Sequence, residues 1–142
     1  MLGQFIHLAA DMANRLFSFF TRESKKSVAD FDEVPLPKLI FDRDSLQILA
    51  VNKAAVALYG YTHEEFLVMT IKEIRPVWEL QKLARHINDQ HLQGNNTGIW
   101  KHLKKNGDIM LVQVDAADEI YEGKNQRIVT IRDITPAAVA GR

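Results

Sequence analysis

The spacing of apolar residues changes at Asn52 from a pattern typical of a strand to one typical of a helix, and this change constrains the fold more than any other feature. The apolar run Leu46–Val51 predicts a β-strand, and after Asn52 the apolar residues recur at helical spacing. An Asn side chain accepts hydrogen bonds from the free amides of a first helical turn, so we predict that Asn52 is an N-cap. Gly60 is suited to end this short helix in the left-handed conformation.

Two more helices are predicted after this first one. Thr62, followed three residues later by Glu65, predicts a capping box at the start of a second helix. Arg75 and Pro76 mark a break, and a longer helix is predicted from Pro76 to Gln93, since proline at a first turn needs no donor. The apolar face predicted for this helix contains Leu80, Leu83, Ala84, Ile87 and His91.

The other segments predict strands. A short strand, Leu39–Phe41, precedes Leu46–Val51, and Ile99–Lys104, Ile109–Ala117 and Arg127–Ile134 follow the helices. Asn106-Gly107 predicts a tight hairpin, and Glu122-Gly123 a second turn. Apolar residues fall on both faces of these strands, so both faces of the sheet need a cover. The residues predicted to share one face of the middle strand are Met110, Val112, Val114 and Ala116.

Three segments together resemble the PAS family. ILAVNKAAVALYGYTHEEF (residues 48–66) is similar to the front half of a PAS domain. HLKKNGDIMLVQVDA (102–116) and IVTIRDIT (128–135) resemble its later hairpin and its closing Asp-x-Thr motif, in the same order and spacing. The resemblance covers Lys38 to Thr135 and implies an α+β PAS fold, a five-stranded antiparallel sheet with intervening helices.

The segments outside residues 38–135 are predicted to flank this domain. Residues 1–22 predict an amphipathic helix, which either covers the sheet of its own chain or forms a dimer contact. Residues 23–37 are charged, end in two prolines and predict a linker, and residues 136–142 predict a tail toward an output region. The residues predicted for dimerisation are Leu2, Phe5, Ala9, Met12, Leu16 and Phe19.

Composition excludes several classes of function. The 142 residues carry 18 basic and 18 acidic side chains, a net charge of zero, which argues against binding to nucleic acid or to an anionic membrane. The chain contains no cysteine, which rules out disulfides and fits a reducing cytoplasm. No uninterrupted apolar run approaches about 18 residues, so a soluble, cytoplasmic protein is predicted. No phosphate loop, nucleophile elbow or zinc-protease motif is present, so an enzyme is not predicted.

The resemblance places a ligand cavity between the sheet and the long helix. The same lining residues could instead simply fill the core. His91 is the haem ligand that the resemblance implies, and a non-covalent flavin beside Trp78 or Trp100 is a second cofactor hypothesis. Flavin–cysteine photochemistry and a cysteine-linked chromophore are excluded, and His86 lies too far round the helix from His91 to share a metal. The predicted lining residues are Ile87, His91, Trp100, Met110 and Val112.

The resemblance also implies a route for signalling. Asp133 and Thr135 match the closing motif, which in PAS domains couples the last strand to the following helix. We predict a sensor or dimerisation module of a signal-transduction protein, namely a histidine kinase of a two-component system, a diguanylate cyclase or a transcription regulator. Its predicted partners are a second copy, a small-molecule ligand and an output domain or partner signalling protein. The alternatives are a cofactor-free protein–protein interaction module and a haem-binding gas or redox sensor using His91.

Overall fold

The computed structural model describes residues 31–89, 94–121 and 123–137. These residues form a five-stranded sheet, with all of the named helices lying between its second and third strands. The strands are β1 (Lys38–Asp42), β2 (Ile48–Val51), β3 (Asn96–Leu103), β4 (Ile109–Tyr121) and β5 (Lys124–Asp133). The helices are α1 (Lys53–Tyr59), α2 (His63–Phe66), a 3-10 turn (Val77–Glu79) and α3 (Leu80–Asn88).

The sheet is antiparallel throughout, in the order β2-β1-β5-β4-β3. The last strand therefore lies at the centre, between β1 and β4. The predicted α+β architecture, a five-stranded antiparallel sheet with intervening helices, is confirmed. The central position of β5 brings residues from the front and back halves of the chain into one core.

The predicted helix ends around α1 and α2 are confirmed. Asn52 Oδ1 accepts from the amide of Ala55 at 3.0 Å, and Gly60 ends α1 with φ of 87°. Thr62 and Glu65 form both hydrogen bonds of a capping box. These ends were predictable because each depends on residues within a few positions of one another.

Several predicted boundaries are wrong. Strand β2 begins at Ile48, since Leu46 adopts φ of 66° and closes the preceding turn by donating to the Asp42 carbonyl at 2.7 Å. A left-handed residue cannot belong to a strand. Helix α3 ends at Asn88 because Asp89 is already extended, and residues with low helix propensity occupy this end. Ala84, predicted on the apolar face of this helix, is exposed.

The hairpin between β4 and β5 is longer than predicted. Its pairing continues to Tyr121 opposite Lys124, with Gly123 at φ of 75° next to that pair. The prediction stopped β4 at Ala117 and began β5 at Arg127, because polar residues interrupt the apolar alternation beyond those points. The added length pairs Asp118 directly with Arg127.

The two faces of the sheet are buried to different degrees. The inner face carries the main core, in which the predicted set on β4, Met110 to Ala116, is buried with Trp100. On the outer face Ile40 is 1% exposed and packs with Phe31, whereas Ile99 and Ile109 are 46% and 40% exposed. The cover expected for this face, the N-terminal helix or a partner subunit, lies outside the described residues, so this expectation stays a prediction at the β3–β4 end.

The predicted flanking segments cannot be compared with the structure. Residues 1–30 and 138–142 lie outside the described residues, and with them the predicted N-terminal helix, its dimerisation residues and most of the linker and tail. Within the described residues, no helix is both long and apolar enough to cross a membrane.

Candidate ligand cavity

A cavity of about 40 Å³ lies between the inner face of the sheet and α3. One part of its wall is apolar, and it is formed by Phe41, Ile71, Leu83, Ile87, Trp100, Val114, Ala116 and Val129. The other part is polar, and it is formed by Arg43, Arg75, His86, Asn96 and Arg127. The cavity is thus amphipathic, with its basic groups inside a largely apolar interior.

Two of the five predicted lining residues, Ile87 and Trp100, line this cavity. Met110 and Val112 are buried in the same core but do not line it. His91 lies outside the described residues, so its role stays a prediction. The binding roles of the other four likewise stay predictions.

The size of the cavity is unsuited to the two large cofactors considered. A water molecule needs about 10–15 Å³ of such volume, so a cavity of 40 Å³ holds a few non-hydrogen atoms rather than a haem or a flavin. Trp78, a possible neighbour of a flavin ring, is 64% exposed and does not line the cavity. The described residues contain no cluster of three or more His, Asp or Glu side chains that could hold a metal ion.

Trp100 belongs to the apolar part of the wall but contacts basic side chains. The Arg75 guanidinium carbon lies 4.9 Å from the centroid of its ring and Lys82 Nζ lies 4.4 Å from it, both within range of a cation–π interaction. His86 approaches the ring edge-on, with centroids 5.1 Å apart. The indole also requires Gly98, because a Cβ there would lie 2.8 Å from Trp100 Nε1.

Arg75 is a buried cation, only 8% exposed. Its Nη1 donates to the Ile71 carbonyl at 2.6 Å, while its Nε is buried and has no hydrogen-bond partner. Burial lowers the pKa of Arg75 to about 10, and the nearby Tyr59 and Glu79 act in the opposite direction. Within the described residues Arg75 makes no ion pair, since Glu79 stays beyond ion-pair distance.

Arg127 and Arg43 share one carboxylate. Nη1 of each donates to Asp118, Arg43 at 2.8 Å, and the Gly94 amide donates to the same carboxylate at 2.7 Å. Burial opposes the charged form of Asp118, but the Gly94 amide and the two guanidiniums outweigh it and hold the pKa of the carboxyl below its ordinary value. Arg127 Nη2 remains buried with no hydrogen-bond partner.

Two histidines of this region, His86 and His102, have lowered pKa values. Burial, together with the charges of Arg127 and Arg75, lowers the pKa of His86. His102 is 1% exposed, and burial followed by the charge of Arg75 lowers its pKa well below the ordinary value. The Tyr59 hydroxyl, whose pKa burial raises, is hydrogen-bonded to His102 Nδ1 at 2.5 Å, and His102 Nε2 is buried without a partner.

The closing motif forms a compact set of hydrogen bonds at the end of β5. Asp133 Oδ1 accepts from the Thr135 amide at 2.9 Å and from the Thr135 hydroxyl at 2.6 Å. The same hydroxyl accepts from the Leu111 amide at 3.0 Å, and the Ile134 amide donates to the Leu111 carbonyl at 2.9 Å. These four bonds, here called the Asp-x-Thr clip, fasten the exit of β5 to β4.

Several residues of this region were missed by sequence reasoning, among them Arg127, His102 and Arg75. Arg127 alternates with Val129 and Ile131 on the inner face of β5. A basic residue at the spacing of an apolar face is the sequence signal that could have identified it. His102 alternates with Trp100 in the same way. Arg75 gave no such signal, because it stands in an irregular segment before a proline.

The comparisons with known proteins agree on the fold. No protein-family model and no curated protein sequence matches the chain. Among similar solved structures, a PAS domain of a protein from Colwellia psychrerythraea has a TM-score of 0.71 and 24% identity, over 78% of this chain and 96% of that one. A domain of a sensory box sensor histidine kinase/response regulator from Geobacter sulfurreducens has a TM-score of 0.66 and 21% identity, over 78% and 94%.

A third similar structure carries a ligand. It is the PAS domain of a LuxR-family transcriptional regulator from Burkholderia thailandensis in complex with ethanol, with a TM-score of 0.63 and 12% identity, over 75% of this chain and 95% of that one. At these identities the likeness shows the fold alone. The chain has the PAS fold.

Proposed function

We propose that this chain is a sensory PAS module of a signalling protein, in which a small ligand in the cavity biases the arrangement of β5 and the segment that follows it. The observation that carries the proposal is that one strand contributes to both places. Arg127 and Val129 of β5 line the cavity, and the strand ends at Asp133 in the Asp-x-Thr clip. At about 3.3 Å per residue, Val129 and Asp133 are about 13 Å apart along the strand.

The similar structures support a role in signalling and a small ligand. They include a domain of a sensor histidine kinase/response regulator and a domain of a transcriptional regulator. The ethanol held by the latter is of the size that a 40 Å³ cavity accepts. The module thus serves as a cytoplasmic input region for a histidine kinase, a diguanylate cyclase or a transcription regulator, and we assign no catalytic step to it.

A substitution that fills the cavity tests the coupling without any ligand. Ala116 lines the cavity and is buried, so Ala116→Met mimics an occupant. We expect amide exchange at Ile134 and Thr135 to accelerate about threefold or more relative to the amides of β1, since a shift of β5 against β4 loosens the clip. Ala57→Met, on the exposed face of α1, is the matched control. If amide exchange at the clip, relative to the amides of β1, is unchanged in Ala116→Met, the coupling proposal is refuted.

We further propose that the module forms a homodimer in which the β3–β4 end of the outer face contacts a second copy. Ile99 and Ile109 are exposed there, and the apolar spacing in residues 1–22 is of the kind that dimerising helices use. Light scattering of the full chain should give twice the mass of one chain. Ile109→Asp should halve that mass, and Val68→Asp, at an apolar residue 79% exposed elsewhere, should leave it unchanged. A monomeric full chain would refute the proposal.

A further inference from the structure

The charges around the cavity do not balance. The described residues that line it include three arginines and one histidine but no carboxylate. Asp118, just outside, is the carboxylate that Arg43 and Arg127 share, and Glu79 lies near Arg75 without forming an ion pair in the described part of the chain. The wall therefore carries more positive than negative charge in a region of low dielectric constant.

Two buried N–H donors in this wall lack an acceptor. Arg75 Nε and Arg127 Nη2 are each buried without a hydrogen-bond partner. The Arg75 residue is 8% exposed and the Arg127 side chain 7%. A buried donor of a charged group left without an acceptor costs free energy, which an anion in the cavity removes.

The two guanidiniums act on the same region of the cavity. Both Arg75 and Arg127 lower the pKa of His86, which lines the cavity beside them. Guanidinium groups bind carboxylates in particular, through N–H donors in a planar fork. The opposite wall, with Leu83, Ile87 and Val114, is apolar and suits a short alkyl chain.

We propose that the cavity is a binding site for a short-chain carboxylate, whose oxygens accept from Arg75 and Arg127 and whose alkyl chain packs on the apolar wall. The inference rests on the proposed sensory function and assigns the chemical class of its ligand. A carboxylate of three or four carbons has the size and the two-sided polarity of the cavity.

The test compares propionate with propionamide, a neutral molecule of nearly the same shape. Calorimetric titration of the full chain at constant ionic strength should show that propionate binds about ten- to a hundredfold more tightly than propionamide. Propionate should also raise the unfolding temperature. Equal binding of both molecules, or binding of neither, would overturn the carboxylate assignment.

Variants locate the binding. Arg75→Gln and Arg127→Gln should each weaken propionate binding about tenfold or more while leaving propionamide binding nearly unchanged. Arg85→Gln, which removes an exposed arginine of α3, is the matched control and should bind propionate as the parent chain does. Unchanged propionate binding in both cavity variants would place the anion elsewhere and refute the site.

The two proposals fail in different ways. If either cavity variant does not fold, the propionate–propionamide comparison on the parent chain still decides the carboxylate assignment. The sensory proposal is decided by amide exchange in Ala116→Met, which needs no ligand. If amide exchange at the Asp-x-Thr clip accelerates in Ala116→Met, but the parent chain binds propionamide more tightly than propionate, the sensory proposal stands and the carboxylate assignment is refuted.

Discussion

The interior of this domain contains two kinds of buried polar side chain. Asn52 is fully buried and its amide group is well satisfied, since Oδ1 accepts from the Lys38 and Ala55 amides and Nδ2 donates to the Leu36 carbonyl. Arg75 and Arg127 are buried to nearly the same degree, yet each leaves one N–H without an acceptor. Asn52 joins β1 to α1, whereas Arg75 and Arg127 line the cavity.

The difference separates a role in folding from a role in binding. A buried polar group whose hydrogen bonds are all made stabilises the fold, and removing it leaves its partners unpaired. A buried cation with an unpaired donor has a desolvation cost that its contacts only partly offset. Substitution of Asn52 should therefore lower the free energy of unfolding far more than substitution of either arginine. Substitution of the arginines should weaken ligand binding more than substitution of Asn52.

The largest effect is expected at Asn52. Asn52→Ala leaves three backbone groups without partners and removes the cap of α1, so we expect a loss of about 3 kcal/mol in the free energy of unfolding. Urea denaturation monitored by circular dichroism measures it. Asn125→Ala, at an exposed asparagine of β5, should change the free energy by less than about 0.5 kcal/mol. Similar losses in the two variants would show that the buried hydrogen bonds of Asn52 do not stabilise the fold.

The next effect concerns pH. The folded-state pKa of His102 lies below its ordinary value, so the unfolded chain binds more protons, and stability falls as the pH drops below about 6.5. Between pH 6.5 and 5.0 the proton uptake of the unfolded chain at this residue should lower the free energy of unfolding, and His86, with its lowered pKa, adds to the loss.

Urea denaturation across this pH range measures the slope. His102→Gln should flatten it, whereas His63→Gln, at an exposed histidine, should leave it as in the parent chain. A parent chain whose stability is constant from pH 6.5 to 5.0 would show that His102 takes up protons in the folded state as it does in the unfolded chain, against the structure.

A smaller loss is expected where only one hydrogen bond is removed. Tyr59→Phe keeps the buried ring against Phe66, with centroids 5.8 Å apart, but leaves His102 Nδ1 without its hydrogen-bond partner. We expect a loss of about 1–2 kcal/mol in the free energy of unfolding at pH 7.5. Tyr61→Phe, on a partly exposed tyrosine that also packs on Phe66, is the control. Equal effects of the two changes would mean that the bond to His102 contributes nothing.

The contrast between the two kinds of polar group also explains what the sequence could predict. Asn52 and Gly60 were predictable because a helix cap depends on residues that are neighbours in the chain. The turn at Asn106-Gly107 was predictable because the conformation of a tight hairpin turn depends on its own two residues. Arg127 was not, since its burial depends on pairing with Asp118, nine residues away across a polar hairpin. The spacing of residues in the sequence does not predict a strand register of this kind.

The cavity was predicted in position but not in chemistry. Two of its apolar lining residues, Ile87 and Trp100, followed from the resemblance, whereas its basic wall did not. Arg75 enters the interior from an irregular segment, where no periodicity predicts which way a side chain faces. A charged residue gains a buried position only through tertiary contacts such as the Trp100 ring and the Ile71 carbonyl.

The smallest effect on stability is expected at Arg75, and it is the sharpest test of the comparison. Arg75→Met removes the buried charge together with its desolvation cost, and the flexible thioether fills most of the same volume. The change forfeits the bond to the Ile71 carbonyl and the contact with Trp100. These losses and the gain nearly cancel, so we expect the free energy of unfolding to change by less than about 1 kcal/mol.

Lys82→Met is the matched control, because Lys82 lies over the same ring with its side chain 52% exposed. It removes a cation–π contact, the hydrogen bond to the Ile99 carbonyl and the contact with Glu79, but no buried charge. Each variant thus loses one cation–π contact and one bond to a carbonyl, and urea denaturation of both shows the effect of removing the buried charge. If Arg75→Met costs as much as Asn52→Ala, Arg75 holds the fold together and its unpaired donor is no guide to a ligand. If it costs little while propionate binding is lost, the buried cation is retained for binding, as the orphaned donor indicates.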